Sequence, residues 1–378
     1  MILLIGNYPF DRQESMLRFS SMLHRELKKR NVEVELIFPR PFFGRLRESS
    51  TGLGKWLGYI DKFLIFPFLL RKRLPHCDLV HICDHSNALY SRHVRNHPVL
   101  ATCHDLFAVR GALGEQTDSA PSRTGLVLQH WILEGLKRVD MIACDSTATR
   151  QDVERLVTGT SNPIKTKVVF ISLNHDYKKL SREETLARLR RFTDIDLTRP
   201  FLLQVGSNSL RKNRAGVLRI FAKLRPNWDG QLVFAGEALP GELVDLSRTL
   251  AVNDRVIQLV KPDNDAIEAL YNGAFALLFP SRLEGFGWPV IEAQVCGCPV
   301  VCSDSPCLPE IAGEGAFMRD VSDEAGFCEA IRRLSEPDER QRLIERGFAN
   351  AGRFSAESMI RGYLQCYDEL AELGKKAR

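Results

Sequence analysis

Between Ser281 and Val301 the chain reads SRLEGFGWPVIEAQVCGCPVV. The apolar run before it, FALLFP, reads as a strand ending at Pro280, and Pro289 suits the first turn of a helix. Gly297 ends that helix and Pro299 opens a second strand. The loop EGFGW therefore sits at a helix N-terminus, where Gly285 and Gly287 let a ligand approach the backbone. Such a terminus suits an anion, phosphate above all. Glu284 stands at the loop entrance and Glu292 one turn into the helix, with seven residues between them. Beside phosphate, carboxylates repel the ligand unless they face its hydroxyls, so sugar and ribose hydroxyls are their natural partners. The plainer role, complementing the helix dipole, leaves the company of two acids and two glycines unexplained.

The same alternation runs outward through the whole chain. Candidate strands in the first half are ILLIG, VEVELIF, DLVHIC, PVLATC, DMIACD and KVVFIS; in the second they are FLLQVG, QLVFAG, RVIQLV, FALLFP, PVVCSD and GAFMRD. Helix-period segments separate them, for instance Met16, Phe19, Leu23 and Leu27 on one face. Nearly continuous apolar strands separated by helices mean parallel sheets covered on both faces. The expected fold is α/β, with two doubly wound, Rossmann-like domains facing a cleft. Expected boundaries are 1–178 for the first domain and 179–354 for the second, with the break in the polar stretch Ser172 to Pro200 and a last helix, 355–378. In such sheets ligands bind beyond the carboxyl ends of the strands. That puts Gly6, His104, Gly206, Gly236 and Glu284 near the ligand.

Length and composition agree. A chain of 378 residues is too long for one ordinary core. Its 52 basic and 47 acidic residues leave a net charge of +5, too balanced to argue for nucleic acid. Ten scattered cysteines, several inside apolar runs, read as buried thiols of a reducing compartment. No export signal is visible in MILLIGNYPF, and the apolar run Phe63 to Leu70 is too short to span a bilayer. The expected location is the cytoplasm.

The segment ALYNGAFALLFPSRLEGFGWPVIEAQVCGCPVVCSDSPCLPEIAG resembles the retaining glycosyltransferases of family 4, with the GT-B fold and an E-x7-E signature. VGSNSLRKN, ATCHDLF and IACDSTATRQDV are similar to that family more weakly. The resemblance implies that Glu292 holds ribose hydroxyls and Glu284 the hydroxyls of the donor sugar. It implies that Lys212 and Arg211 bind the diphosphate, that His104 lies by the donor sugar, and that backbone near Pro262 meets the base. Gly206, Ser207, Gly285, Phe286 and Gly287 complete the donor set, with His104, Lys212 and Glu284 as the catalytic candidates. It also implies that the last helix crosses back onto the first domain. Two positions depart from the family. Ser207 stands where members often have arginine, and GNYPFDRQES replaces a Gly-Gly loop. On the acceptor side the candidates are Gly6, Asn7, Tyr8 and His85.

Other features have competing readings. His104, His81 and His85 follow predicted strands and could touch a ligand or simply cap and pack. Asp194 to Asp196 and Asp263 to Asp265 match a metal-binding D-x-D pattern, but the first lies in the polar connection and the second caps a helix. Cys296, Cys298, Cys302 and Cys307 lack paired C-x2-C spacing. No metal or other cofactor is expected. Trp56 to Leu74 joins an aromatic-rich apolar face to Arg71, Lys72 and Arg73. It is read as a packed helix with a basic end, and secondly as a docking surface for anionic lipid at the inner face of the plasma membrane.

The resulting expectation is a retaining, metal-independent glycosyltransferase. It moves a sugar from a nucleoside-diphosphate sugar to a glycan, lipid-linked or small-molecule acceptor hydroxyl. Same-face attack is expected, with Lys212, Arg211 and the EGFGW turn stabilising the leaving phosphate. The rivals are a nucleotide-sugar epimerase of similar fold, which needs no acceptor, and a non-catalytic nucleotide-sugar sensor.

Overall fold

A computed structural model describes residues 1–11, 13–46, 52–117, 122–157, 164–192 and 194–376. Arg12 of the loop GNYPFDRQES lies outside them. The chain divides into two compact units, Met1–Asn174 with Ala356–Arg378, and His175–Ser355.

The first unit carries β1 (Ile2–Ile5), β2 (Val34–Ile37), β3 (Leu79–Ile82), β4 (Val99–Cys103), β5 (Met141–Cys144) and β6 (Lys165–Val168). They form one parallel sheet in the order β2-β1-β3-β4-β5-β6. The second carries β7 (Phe201–Gly206), β8 (Gln231–Gly236), β9 (Val256–Val260), β10 (Ala276–Phe279), β11 (Val300–Ser303) and β12 (Ala316–Arg319). Its parallel order is β12-β11-β10-β7-β8-β9. Inner strands such as VLATC and ALLF are buried at every position, because helices cover both faces. The cores gather around Leu3, Ile82 and Ala101 in one unit and Phe221, Phe234 and Leu278 in the other.

Each of the twelve predicted stretches holds a strand, with one shift. KVVFIS was expected to pair along its apolar length, yet the ladder runs over KTKV at 165–168. β6 is an edge strand, and lysines there suit solvent and discourage pairing with another chain. Val169 and Ile171 lie beyond the ladder and are buried.

Strand order reverses between β1 and β3 in the first sheet and between β7 and β10 in the second. At such a point the following loops leave toward opposite faces and open a crevice at the carboxyl ends. Those loops carry Gly6 to Tyr8 and Asp84 to His85 in the first unit. In the second they carry Gly206 to Lys212 and Ser281 to Gly287.

The last helix, Ala356–Lys376, belongs to the first unit. Tyr367 Oη lies 2.8 Å from His81 Nδ1, His81 Nε2 lies 2.8 Å from Thr102 Oγ1, and Thr102 Oγ1 lies 3.0 Å from Tyr363 Oη. Both ring nitrogens of His81 are thus spent on fastening the helix. Burial pulls its pKa down to about 3, so the ring is neutral. Its role is packing, and the ligand contact offered for His81 falls away.

Candidate functional site

Two loops meet at the reversal in the second sheet. After β7 a short turn, Leu210–Lys212, leads through Asn213 into the helix Arg214–Leu224. After β10 the chain runs from Pro280 through the EGFG turn into the helix Trp288–Val295. They are laced together: Asn213 Nδ2 donates to Pro280 O at 3.0 Å, and Arg282 N–H donates to Arg211 O at 2.6 Å. Gly287 caps the second helix at φ 101°, where a Cβ would strain the backbone and press on Leu308. Gly236 ends β8 at φ 132°, and a Cβ there would collide with the carbonyl oxygen of Gly206.

The loops bring three candidates into contact. Lys212 Nζ donates to Glu284 Oε1 at 2.8 Å, and Arg211 Nη1 donates to Glu284 Oε2 at 2.9 Å. The Lys212 stem runs beside Gly206, and its Nζ lies 4.9 Å over the Phe279 ring. Burial alone would raise the Glu284 pKa, but Lys212 and Arg211 outweigh it and hold the carboxyl below its ordinary value. Burial lowers the Lys212 pKa against the opposing pull of Glu284, so the trio sets two basic side chains against one carboxyl.

Around the trio, Cys307 Sγ donates to the carbonyls of Glu284 and Phe286 at 3.0 and 3.5 Å. The Phe286 ring is buried against Phe354, 5.6 Å away. Phe286 therefore has only backbone to offer a ligand. Glu292 is buried one turn into its helix, and its Oε2 accepts from Tyr271 Oη at 2.8 Å. Ser207 Oγ accepts from Ser209 N–H at 3.4 Å. Pro262 is half-buried after β9, and the preceding Lys261 N–H donates to Gly236 O at 2.7 Å.

Arg214 also stands near the end of β7, but its guanidinium turns to carbonyls and does not replace the charge that Ser207 lacks. Arg214 Nη2 donates to Gly206 O at 2.5 Å and Nη1 to Glu237 O at 2.8 Å. Buried, with its pKa down to about 10, it braces the ends of β7 and β8. Sequence reasoning missed Arg214 and Tyr271. The available signal was a charged or polar group on the apolar face of RAGVLRIF and AIEALYNG.

The reversal in the first sheet is built from different groups. Asn7 Nδ2 donates to Asp84 Oδ2 at 2.5 Å and Gln13 Oε1 at 2.6 Å, while Asn87 Nδ2 donates to Asn7 Oδ1 at 3.2 Å. Gly6 N–H donates to Ile37 O at 2.8 Å. Tyr8 Oη donates to Asp61 Oδ2 at 2.9 Å, and the N–H groups of Phe42, Phe43 and Gly44 point at the same carboxylate. The Tyr8 hydroxyl is therefore locked, and only its ring can border a ligand.

His104 is buried with Phe19 edge-on at 4.7 Å. Its Nε2 donates to Cys83 O at 3.1 Å, since a carbonyl only accepts, and Nδ1 shares a proton with Asp145 Oδ2 at 3.0 Å. Burial would lower the His104 pKa, and Asp145 raises it above the ordinary value. Burial pushes Asp145 up to about 6. Both ring nitrogens of His104 are thus engaged within the first unit. His85 Nδ1 lies 3.1 Å from Asp84 Oδ1 without hydrogen-bond alignment, and Asp84 raises its pKa against the effect of burial.

Asp263 caps the helix Asn264–Gly273 by accepting from Ala266 N–H at 2.8 Å, and Asp196 accepts from Thr198 and Arg199. All ten cysteines are free and buried. Among the described residues, no three His, Cys, Asp or Glu side chains gather as metal ligands would.

Comparison with known proteins agrees with this geometry. Residues 187–349 match the family model of glycosyl transferases group 1, and residues 18–166 match that of glycosyltransferase family 4. The chain belongs to this glycosyltransferase family. Over 242 residues it is 28% identical to O-antigen chain mannosyltransferase B of Escherichia coli, covering 62% of each chain. Its matches span 30 to 62% of the length of such curated relatives. Sucrose-phosphate synthase of Thermosynechococcus elongatus superposes with a TM-score of 0.77 at 19% identity, covering 98% of both chains. HepE of Anabaena, in complex with UDP, gives 0.72 at 15% identity, covering 98% of this chain and 100% of that one. The shared fold is GT-B.

Proposed function

We propose that this protein transfers a sugar from a nucleoside-diphosphate sugar to an acceptor hydroxyl, with retention at the anomeric carbon and without a metal ion. The observation that carries the reading is the trio Arg211, Lys212 and Glu284 beside the N-terminus of the helix Trp288–Val295. Two preorganised cations and a helix terminus suit a leaving diphosphate, whose charge grows as the bond to the sugar breaks. In this reading Arg211 and Lys212 take the phosphate oxygens and Glu284 turns to the sugar hydroxyls. Glu292, oriented by Tyr271, takes the ribose hydroxyls. The acceptor oxygen forms its bond to the anomeric carbon on the face where the phosphate oxygen leaves, and that phosphate oxygen receives the acceptor proton.

The first unit is assigned to the acceptor, a glycan, a lipid-linked sugar or a small molecule, with His85 at its more open edge. The ten reduced thiols support a cytoplasmic setting, and the basic end Arg71 to Arg73 supports peripheral contact with the inner face of the plasma membrane. Because HepE, which shares the fold, is seen with UDP, uridine diphosphate is the first nucleotide to try.

Calorimetry with UDP, GDP and ADP, beside a transfer assay with labelled donor, tests the reading. One nucleoside diphosphate should bind the wild type and lose most of its affinity in Lys212→Ala. A donor sugar that is isomerised with no acceptor present, or no binding of any of the three, would overturn it.

A further inference from the structure

The large exposed apolar side chains are unevenly spread. Among the described residues of the second unit they are Leu210, Val260 and Phe348, far apart in sequence, whereas ten lie between positions 42 and 131 of the first. The stretch Gly52–Arg73 concentrates them. It is helical throughout: Gly52–Ile60 and Phe66–Arg73 are α, joined by a π turn at Asp61–Ile65. The π turn explains how the helix tolerates Pro67, whose ring would otherwise clash with the carbonyl of Phe63. It also affects the surface. Each four-residue step overshoots an α-turn by about 40°, and the wider turn takes back part of that. Trp56, Leu64 and Phe68, exposed by 59, 70 and 63%, therefore approach one stripe. Lys72 ends it, with Nζ 4.7 Å over the Phe68 ring.

The patch continues onto the helix Arg123–Leu136. Ring contacts run from Trp56 to Tyr59 at 5.6 Å, to Phe63 at 5.2 Å and to Trp131 at 6.3 Å. Its charge is mainly positive, although Glu35 lies 3.5 Å from Arg73 and Glu134 stands on the second helix. Arg71, Lys72 and Arg73 are exposed at one end, and Arg92 stacks on Trp131 at 5.1 Å. The one acid within Gly52–Arg73 is Asp61, which is buried under Tyr8 and three backbone N–H groups.

We propose that this stripe docks the protein on an anionic lipid bilayer, with the helix lying in the plane of the head groups. Apolar side chains reach the acyl boundary while the cations meet lipid phosphates. A second copy of the chain fits less well, because this helix offers no exposed acid to meet the copy's cations. No helix among the described residues is long and apolar enough to cross a membrane, so the contact is peripheral. The same helix walls a cavity of about 300 Å³ together with Tyr8 and Asp11 of the loop after β1, and Lys62 lines it. Docking therefore sets the acceptor-side loop at the lipid surface and selects acceptors carrying an anionic lipid anchor. That final step rests on the proposed function; the docking does not.

Co-sedimentation with vesicles of phosphatidylcholine plus phosphatidylglycerol, with pure phosphatidylcholine vesicles alongside, tests the proposal on the full chain. The wild type should bind the anionic vesicles about tenfold more tightly, and high salt should remove the difference. Trp56→Ser/Leu64→Ser/Phe68→Ser should stay in the supernatant while its nucleoside-diphosphate affinity, read by calorimetry, is unchanged. Arg71→Gln/Lys72→Gln/Arg73→Gln should lose the preference for anionic lipid. A wild type that ignores both vesicles overturns the proposal, as does a serine variant that binds like the wild type. Light scattering that shows a dimer dissolved by the serine changes would assign the stripe to a second copy instead. Loss of nucleotide binding in the wild type would count against the proposed function alone.

Discussion

The two sheets reverse strand order in the same way, yet their crevices hold opposite chemistry. Between β1 and β3 the polar groups satisfy one another: Asn7 with Asp84, Gln13 and Asn87, and His104 with Asp145 and Cys83 O. Between β7 and β10 a carboxylate is held by two cations at the mouth of a helix. One topology thus supplies two places, and the side chains decide their use. The self-satisfied network favours a rigid frame. The cationic trio favours an anion that competes with Glu284 for its donors.

The largest effects should come from unbalancing the trio. Glu284→Gln leaves Lys212 and Arg211 beside a neutral amide, and breaking a buried pair in this way costs on the order of 3 kcal/mol. Denaturant unfolding of the second unit should register it. Lys212→Ala removes a charge-assisted contact of about 1.5–3 kcal/mol, so donor binding or turnover should fall roughly tenfold to a hundredfold. Unchanged affinity would show that Lys212 serves Glu284 alone.

A smaller change divides the two acids. Glu292 is held by an uncharged hydroxyl, so Glu292→Gln should lower stability by only about 1 kcal/mol. It should weaken free nucleoside diphosphate and full donor alike. Glu284→Gln should weaken the full donor more than the free nucleotide, because its hydroxyl partner belongs to the sugar. Equal losses for the free nucleotide in both variants would remove the division.

Much of this was legible in the chain itself. Strands buried on both faces must be apolar throughout, which is why ILLIG or FALLFP announce themselves. The EGFGW turn was readable because its glycines and Pro289 have few uses other than close approach and helix initiation. What escaped were the second partners. Tyr271 and Arg214 sit on helices where their neighbours are apolar, and Asp145 and Asp61 look like loop or helix acids. Their roles depend on contacts across tens of residues, set by strand order and invisible to local spacing. His104 is a related case: its place after a strand left ligand contact and packing both open, and the contacts of its two nitrogens with Asp145 and Cys83 O were not legible locally. The shift of β6 has the same origin, since an edge strand answers to solvent as much as to apolar length.

The His104–Asp145 pair should also mark the first unit by its pH dependence. Both groups hold their proton more tightly in the folded chain than outside it, His104 because of Asp145 and Asp145 because of burial. Their stabilisation is complete below the ordinary carboxylate value of 3.8 and is lost as pH rises through about 6 for Asp145 and beyond 6.5 for His104. Each linked proton gives a slope of at most about 1.4 kcal/mol per pH unit. Asp84 acts oppositely, since His85 and His104 hold it below its ordinary value despite burial, and its contribution fades in acid. Below pH 6.5 the buried His81, held down to about 3, contributes a slope of opposite sign, and His85, raised by Asp84, adds to that of His104, so the pair is read from the difference between wild type and variant. The Asp145→Asn change puts an amide in place of the carboxyl, and that amide can still donate to His104 Nδ1. The variant should therefore fold, and the fall in its melting temperature between about pH 5 and 8 should be flatter than that of the wild type. Parallel curves for wild type and variant would show that the pair is not the source.

The smallest expected effect is none at all, and it tests the comparison most directly. In the proposed reading, Arg211, Lys212 and the N-terminus of the helix Trp288–Val295 supply the positive charge for a diphosphate. The buried acids of both crevices are engaged: Asp84 with Asn7 and Ser86, Asp145 with His104, Glu284 with Arg211 and Lys212, and Glu292 with Tyr271. Asp263 is engaged in turn as a helix cap. If phosphate charge is met by side chains and backbone, transfer should proceed at the same rate after EDTA treatment, and added magnesium or manganese should change it little. A loss on chelation that manganese restores would mean that an ion shares the work assigned to Arg211 and Lys212. The contrast between a self-satisfied crevice and a cationic one would then no longer account for the diphosphate. Measuring Lys212→Ala with and without manganese would complete the test. Rescue of that variant by the ion would identify the lysine and the metal as substitutes for one another, whereas an unrescued loss would leave the lysine as the diphosphate's own counter-charge.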